Sequence, residues 1–229
     1  MRTLVVIPAY NEADNIAQVI AGVRAFFDGE VAVVDDGSAD DTARAARAAG
    51  ATVLRHPCNL GIGAAVQTGF LYAMDRGYDQ VLRVDGDGQH DPSYIPRFLE
   101  LLAAGEADIV VGSRFLAREG YQSTLVRRAG IMILGVLSAL VGARVTDPTS
   151  GYWGLSRRAV ELLARYQPDD YPETQALVLA ARAGCRIREV PVVMQARSAG
   201  RSSISGVMHA GFYMLKVILA VLIERLRTR

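Results

Sequence analysis

Cysteine is nearly absent from this chain of 229 residues: Cys58 and Cys185 stand far apart, with no metal-ligand spacing around either. That excludes a disulfide-stapled scaffold and makes a reducing cytosol the simplest compartment. Both thiols are expected to be ordinary small buried residues. A Gly-x-Gly-x-x-Gly turn is missing after the first apolar run, and Gly61-Ile62-Gly63 lacks a following Gly-Lys-Ser/Thr. Neither a dinucleotide fingerprint nor a phosphate loop is therefore present, and those glycines read as helix-packing positions. Met1 to Pro8 has a short apolar run that meets proline, without an h-region or cleavage site. No signal peptide is expected, and the chain should stay on the cytoplasmic side. The basic residues are not interleaved with an aromatic platform, so no nucleic-acid partner is expected.

What is present suits one α/β domain with an appendage: 51% of the residues are hydrophobic, enough to fill a substantial core. The net charge of +1 conceals an asymmetry. From Arg182 to Arg229 nine Arg or Lys face two Glu, so the body is acidic and the tail basic. A basic tail suggests an anionic surface or phosphates near the C-terminus.

Strand and helix patterns alternate along the chain. Thr3–Ile7, Val31–Val34, Thr52–Leu54, Gln80–Val84 and Asp108–Val111 read as strands. Helical spacing marks Ala13–Phe27, a segment capped by Ser38 or Asp40 that runs to Ala49, and segments near Ala64–Asp75 and Ser93–Ala103. The pattern predicts a predominantly parallel sheet with helices on both faces. In such sheets ligands sit beyond the carboxyl ends of the strands. There the sequence places Pro8-Ala9-Tyr10-Asn11-Glu12, Asp35-Asp36-Gly37-Ser38 and Asp85-Gly86-Asp87-Gly88-Gln89.

Asp85 and Asp87 crowd like charge at a sheet edge, which is costly unless a divalent cation neutralises it. Mg²⁺ or Mn²⁺ bound by one or two carboxylates leaves positions for substrate phosphates, so a nucleoside diphosphate compound is the expected ligand. The alternative is an Asp-Gly turn that caps the next helix. An Asp after the second strand can accept from a base or ribose, and the Tyr10 ring can pack on that base.

Together with Asn59-Leu60-Gly61 and Asp147-Pro148-Thr149-Ser150-Gly151, these segments follow the order seen in family 2 glycosyltransferases of the GT-A (Rossmann-like) fold. The chain most resembles the dolichol-phosphate mannose synthase branch, the polyprenyl-phosphate glycosyltransferases. That resemblance covers residue 3 to about Ile204 and implies a GT-A domain over 1–204. It implies nucleoside contacts from Pro8, Ala9, Tyr10, Glu12, Asp36, Gly86 and the neighbouring Asp35. It likewise implies metal and diphosphate contacts from Asp85, Asp87 and Gln89, and donor phosphates closed over by Arg197 and Arg201. Many mannose synthases read Asp-Ala-Asp-Leu-Gln-His-Pro-Pro where this chain has two glycines and Asp91. They often carry Gly-Glu-Ser-Lys where it has Gly200-Arg201-Ser202-Ser203. The donor sugar stays open between mannose from GDP-mannose and glucose or a related hexose from UDP.

On the acceptor side Arg114, Arg118, Arg127 and Arg128 precede the run Ala129 to Val141, which is too short for the ~20 residues of a spanning helix. As a helix over 126–142 it could lie at a membrane interface with arginines on lipid phosphate; a buried core helix is the alternative. Val207 to Ile223 contains His209 and Lys216 on one helical face and leads to Arg225, Arg227 and Arg229. Residues 205–229 are therefore expected as an amphipathic membrane-surface helix with a basic tail; a short spanning helix and a homo-oligomer contact are the alternatives. A polyprenyl monophosphate is already ionised near neutral pH and needs placement rather than a base, and direct attack would invert the anomeric carbon. A hydroxyl acceptor would need a carboxylate base, for which Asp147 or Glu173 is the candidate. A sugar-nucleotide nucleotidyltransferase shares the architecture but should show a glycine-rich N-terminal loop, which Pro8 to Glu12 does not provide.

Overall fold

The computed structural model describes residues 1–117, a helical set of positions between 132 and 139, 142–168 and 172–195. A seven-stranded sheet forms the centre: β1 (Thr3–Ala9), β2 (Glu30–Asp35), β3 (Thr52–Arg55), β4 (Gln80–Arg83), β5 (Ile109–Ser113), β6 (Trp153–Ser156) and β7 (Ile187–Pro191). Their order is β3-β2-β1-β4-β6-β5-β7. All neighbouring pairs are parallel except those of β6, which runs antiparallel between β4 and β5. The sheet is thus predominantly parallel, as the alternation predicts.

The helices are α1 (Ile16–Arg24), α2 (Thr42–Ala48), α3 (Ile62–Asp75), α4 (Ile95–Ala103), the short α5 (Arg114–Ala117), α6 (Arg157–Tyr166) and α7 (Pro172–Arg182). Because both sheet faces are covered, β1 is a continuous apolar run and not an alternating one. Leu4 and Val6 enter the core shared with α3, α6 and α7, while Val5 and Ile7 enter the core shared with α1 and α4. Pro8 falls where β4 no longer pairs with β1, so its missing N–H costs no ladder bond on that side.

Several boundaries differ from the sequence pattern for identifiable reasons. α1 begins at Ile16 rather than Ala13 because the preceding backbone is bonded to the β2–α2 loop. Asn11 N–H donates to Ser38 Oγ (2.9 Å), Glu12 N–H to Thr42 Oγ1 (2.8 Å) and Ala13 N–H to Asp40 Oδ2 (3.1 Å). Asn11 accordingly adopts a left-handed backbone, φ 54°. Ser38 is thereby drawn away from α2, and Asp40 alone serves its first turn by accepting from Thr42 N–H. Of the two thiols Cys185 is buried, but Cys58 is exposed, a correction to the expectation for that residue. Gly37 lies beside it: at φ 69°, an added Cβ would come within 2.4 Å of the Cys58 carbonyl carbon, so only glycine fits this turn.

Only part of the expected interfacial segment 126–142 is described. Within it Leu134 and Ser138 are buried, whereas Met132 and Val136 are exposed, one helical turn apart. The described part therefore has one face in the core and one outward. Residues 205–229 lie outside the described residues. Among those described, no helix is long and apolar enough to cross a membrane.

Candidate active site

The carboxyl ends of β1, β2, β4 and β5 open on one edge, and antiparallel β6 brings the loop before it, residues 147–151, to the same edge. Here a cleft of about 740 Å³ opens, within the range of roughly 300–1,000 Å³ usual for small-molecule sites. Pro8, Ala9, Tyr10, Glu12, Asp36, Asp85, Gly86, Asp87, Gln89 and Arg114 all line it. The three converging acidic loops expected from sequence therefore do share one wall. Tyr10 is half exposed there, with its ring available to a planar base.

Two expected residues stand elsewhere. Asp35 is fully buried, outside the cleft lining: it accepts from Ser38 N–H (3.1 Å) and pairs with Arg55 (3.0 Å). Strand parity explains the division, because adjacent side chains point to opposite faces and only Asp36, past the strand end, turns into the cleft. The Asp36 carboxylate accepts from Leu60 N–H and Gly61 N–H, both at 2.9 Å, and meets His56 Nδ1 at 2.8 Å. The Asn59-Leu60-Gly61 segment is thus fixed by Asp36, and Asn59 and Gly61 join the lining.

Asp147, a candidate base, is also fully buried and outside the lining. Arg114 grips it with two parallel bonds, Nε to Oδ2 and Nη2 to Oδ1, both at 2.7 Å. Arg114 Nη2 also donates to Thr149 Oγ1 (2.8 Å), and Glu189 accepts from the backbone N–H groups of Thr146 and Asp147. Glu173, the other candidate base, does line the cleft, but accepts from Arg83 at 2.7 Å. Arg118, Arg127, Arg128, Arg197 and Arg201 lie outside the described residues. Gln195 N–H donates to the Gln89 carbonyl at 3.0 Å.

The Asp85–Gln89 loop is tightly built. Asp87 is buried and accepts from Gln89 N–H (3.0 Å), while Asp85 N–H donates to His90 Nδ1 (3.0 Å). Burial pushes the His90 imidazole below its usual range, against the opposing pull of Asp85 and Asp87, and favours the neutral ring. That ring stacks on Tyr152 at 4.7 Å. A Cβ on Gly86 would lie 3.1 Å from the Pro8 carbonyl oxygen, and one on Gly151 would lie 2.7 Å from Asp85 Oδ2. Both glycines let neighbouring loops close on the acidic pair.

Sequence reasoning missed Arg83 and His90, which also line the cleft. The available signal for Arg83 was a lone charge inside Val81-Leu82-Arg83-Val84, an otherwise apolar strand. Among the described residues no three His, Cys, Asp or Glu side chains are grouped to hold a metal ion. The donor set of Asp85, Asp87 and Gln89 fits a hard cation that takes its remaining ligands from water and substrate phosphates, and does not fit an all-protein cage.

An open α/β sheet with an acidic cleft at its carboxyl edge, closed by an inserted antiparallel strand, defines a GT-A type of transferase. The chain belongs to glycosyltransferase family 2: the Glycosyl transferase family 2 profile matches residues 4–163. An undecaprenyl-phosphate mannosyltransferase of Micrococcus luteus is 35% identical over 90% of this chain and 88% of its own. A polyprenol monophosphomannose synthase of Mycolicibacterium smegmatis is 31% identical over 90% and 82%. The crystal structure of glucosyl-3-phosphoglycerate synthase from Mycobacterium tuberculosis, in complex with Mn²⁺, uridine diphosphate and phosphoglyceric acid, superposes with a TM-score of 0.71. It is 26% identical and covers 98% of this chain and 78% of that one.

Proposed function

We propose that this glycosyltransferase moves a hexose from a nucleoside-diphosphate sugar to a polyprenyl monophosphate, inverting the anomeric carbon, while lying peripherally on the cytoplasmic face of a membrane. The observation that carries the choice of acceptor is the state of the two candidate bases. Asp147 has both oxygens committed to Arg114 and stands outside the cleft, and Glu173 is held by buried Arg83. A hydroxyl acceptor needs a carboxylate that can take its proton; a phosphate monoester arrives already ionised and needs only to be placed. The similarity to two polyprenyl-phosphate mannosyltransferases supports the same acceptor.

In this reading Tyr10 and Asp36 hold the nucleoside, with Pro8, Ala9, Glu12 and Gly86 shaping its bed. Asp147 acts through Arg114, fixing a guanidinium on the cleft wall near the acceptor phosphate, where Arg127 and Arg128 are further proposed contacts. Asp85, Asp87 and Gln89 would hold Mg²⁺ or Mn²⁺, which when bound neutralises charge on the diphosphate leaving group. The acceptor phosphate oxygen forms its bond to the anomeric carbon as the bond to the nucleoside diphosphate breaks, with the electron pair leaving on the diphosphate. Arg197 and Arg201 are proposed to steady that departing charge.

Purified protein should transfer sugar to polyprenyl phosphate from one member of a panel of GDP-mannose, UDP-glucose and related UDP-hexoses. EDTA should stop the reaction, and Mg²⁺ or Mn²⁺ should restore it. Transfer from none of these donors, or full activity in EDTA, would contradict the proposal.

A further inference from the structure

Arg83, the last residue of β4, breaks the rule of an apolar central strand. Its guanidinium is buried and faces Trp153 at 5.6 Å, and its Nη2 donates both to Asp85 Oδ1 (3.2 Å) and to Glu173 Oε1 (2.7 Å). Nε and Nη1 have no hydrogen-bond partner among the described residues. A guanidinium keeps its charge in a protein, and Asp85 and Glu173 are the carboxylates that face it. A buried arginine with three of its five N–H donors unused contributes little to stability compared with an apolar residue of the same size. Its position must serve something else.

Without that positive charge, Asp85 and Glu173 would present two carboxylates, from a strand end and a helix start, to the same small space. Two carboxylates that close attract a divalent cation, which takes its remaining ligands from water. We propose that Arg83 is a positioning residue that acts as a built-in counter-cation: it occupies the space between Asp85 and Glu173 and prevents this carboxylate set from capturing a metal ion before the donor arrives. The ion is then retained only together with the nucleoside diphosphate and leaves with it, so a dead-end metal-bound free enzyme does not accumulate. This inference rests on the reading that Asp85 and Asp87 hold the catalytic cation.

The test is Mn²⁺ binding to the full chain, read as loss of the free-ion electron paramagnetic resonance signal, with and without UDP or GDP. Wild type should bind Mn²⁺ weakly alone and roughly tenfold or more tightly with the matching nucleotide. Arg83→Met should bind Mn²⁺ alone roughly tenfold or more tightly than wild type, because a nearby positive charge is gone. The fluorescence of Trp153, the chain's one tryptophan, should then respond to Mn²⁺ without nucleotide. The kcat of that variant should fall more than its donor KM rises. Arg83→Lys, which keeps the charge but not the fork, should restore weak nucleotide-free binding. Equal Mn²⁺ affinity of Arg83→Met and wild type would overturn the inference. So would tight nucleotide-free binding by wild type, which needs no variant to fold. Absence of Mn²⁺ binding with both nucleotides would overturn the cation reading itself, and this inference with it.

Discussion

Asp87→Ala should lose turnover by about 10²-fold or more while the protein remains folded. Asp87 lines the cleft; in the proposed mechanism charge builds there on the departing diphosphate, and removing one stabiliser of such charge typically costs ~3 kcal/mol or more in the barrier. Its bond to Gln89 N–H is local to one loop. The thermal midpoint should therefore move by only a few degrees. Steady-state kinetics beside a thermal melt separates the two effects. Asp87→Ala that keeps full activity in metal-free buffer would remove Asp87 from the reaction.

The second large effect is on stability. Arg114→Ala should destabilise the fold by ~3–5 kcal/mol, because it leaves fully buried Asp147 without the guanidinium that binds both of its oxygens. Asp147→Asn in the same chain should recover much of that loss by removing the stranded charge. Denaturant titration of the two single variants and the double variant measures it. A cost below about 1 kcal/mol for Arg114→Ala, the scale of an exposed pair, would contradict the buried ion pair. Asp147→Asn alone also discriminates between roles. A base should lose nearly all turnover on that change, whereas a residue acting through Arg114 should lose stability and retain measurable transfer.

Much of this site could be read before the fold was known, because its parts are local in sequence. The apolar runs of β1, β2 and β4 end abruptly in Tyr10, Asp36 and Asp85, and a parallel sheet carries such ends to one edge. What escaped was long-range pairing. Arg114 and Asp147 are separated by 33 residues and Arg83 and Glu173 by 90, so nothing in their spacing announces a bond. β6 was equally hidden: Trp153-Gly154-Leu155-Ser156 is too short to show a period, and its antiparallel insertion follows from tertiary pairing with β4 and β5. The choice between Asp35 and Asp36 was available from strand parity, since Val33 and Val34 already point to different cores. The acidic loops thus carry the family resemblance, while the ion pairs show which carboxylates a guanidinium already holds.

Acceptor discrimination tests the central claim most directly. With one productive sugar nucleotide and matched detergent, polyprenyl phosphate and the corresponding free polyprenol should be offered separately and in competition, and the lipid products resolved by mass. Transfer to the phosphate alone, giving a hexose joined through a phosphodiester, is the expected result. Preferential glycosylation of the alcohol would contradict it, and would require Glu173 or another carboxylate to leave its partner and take the proton.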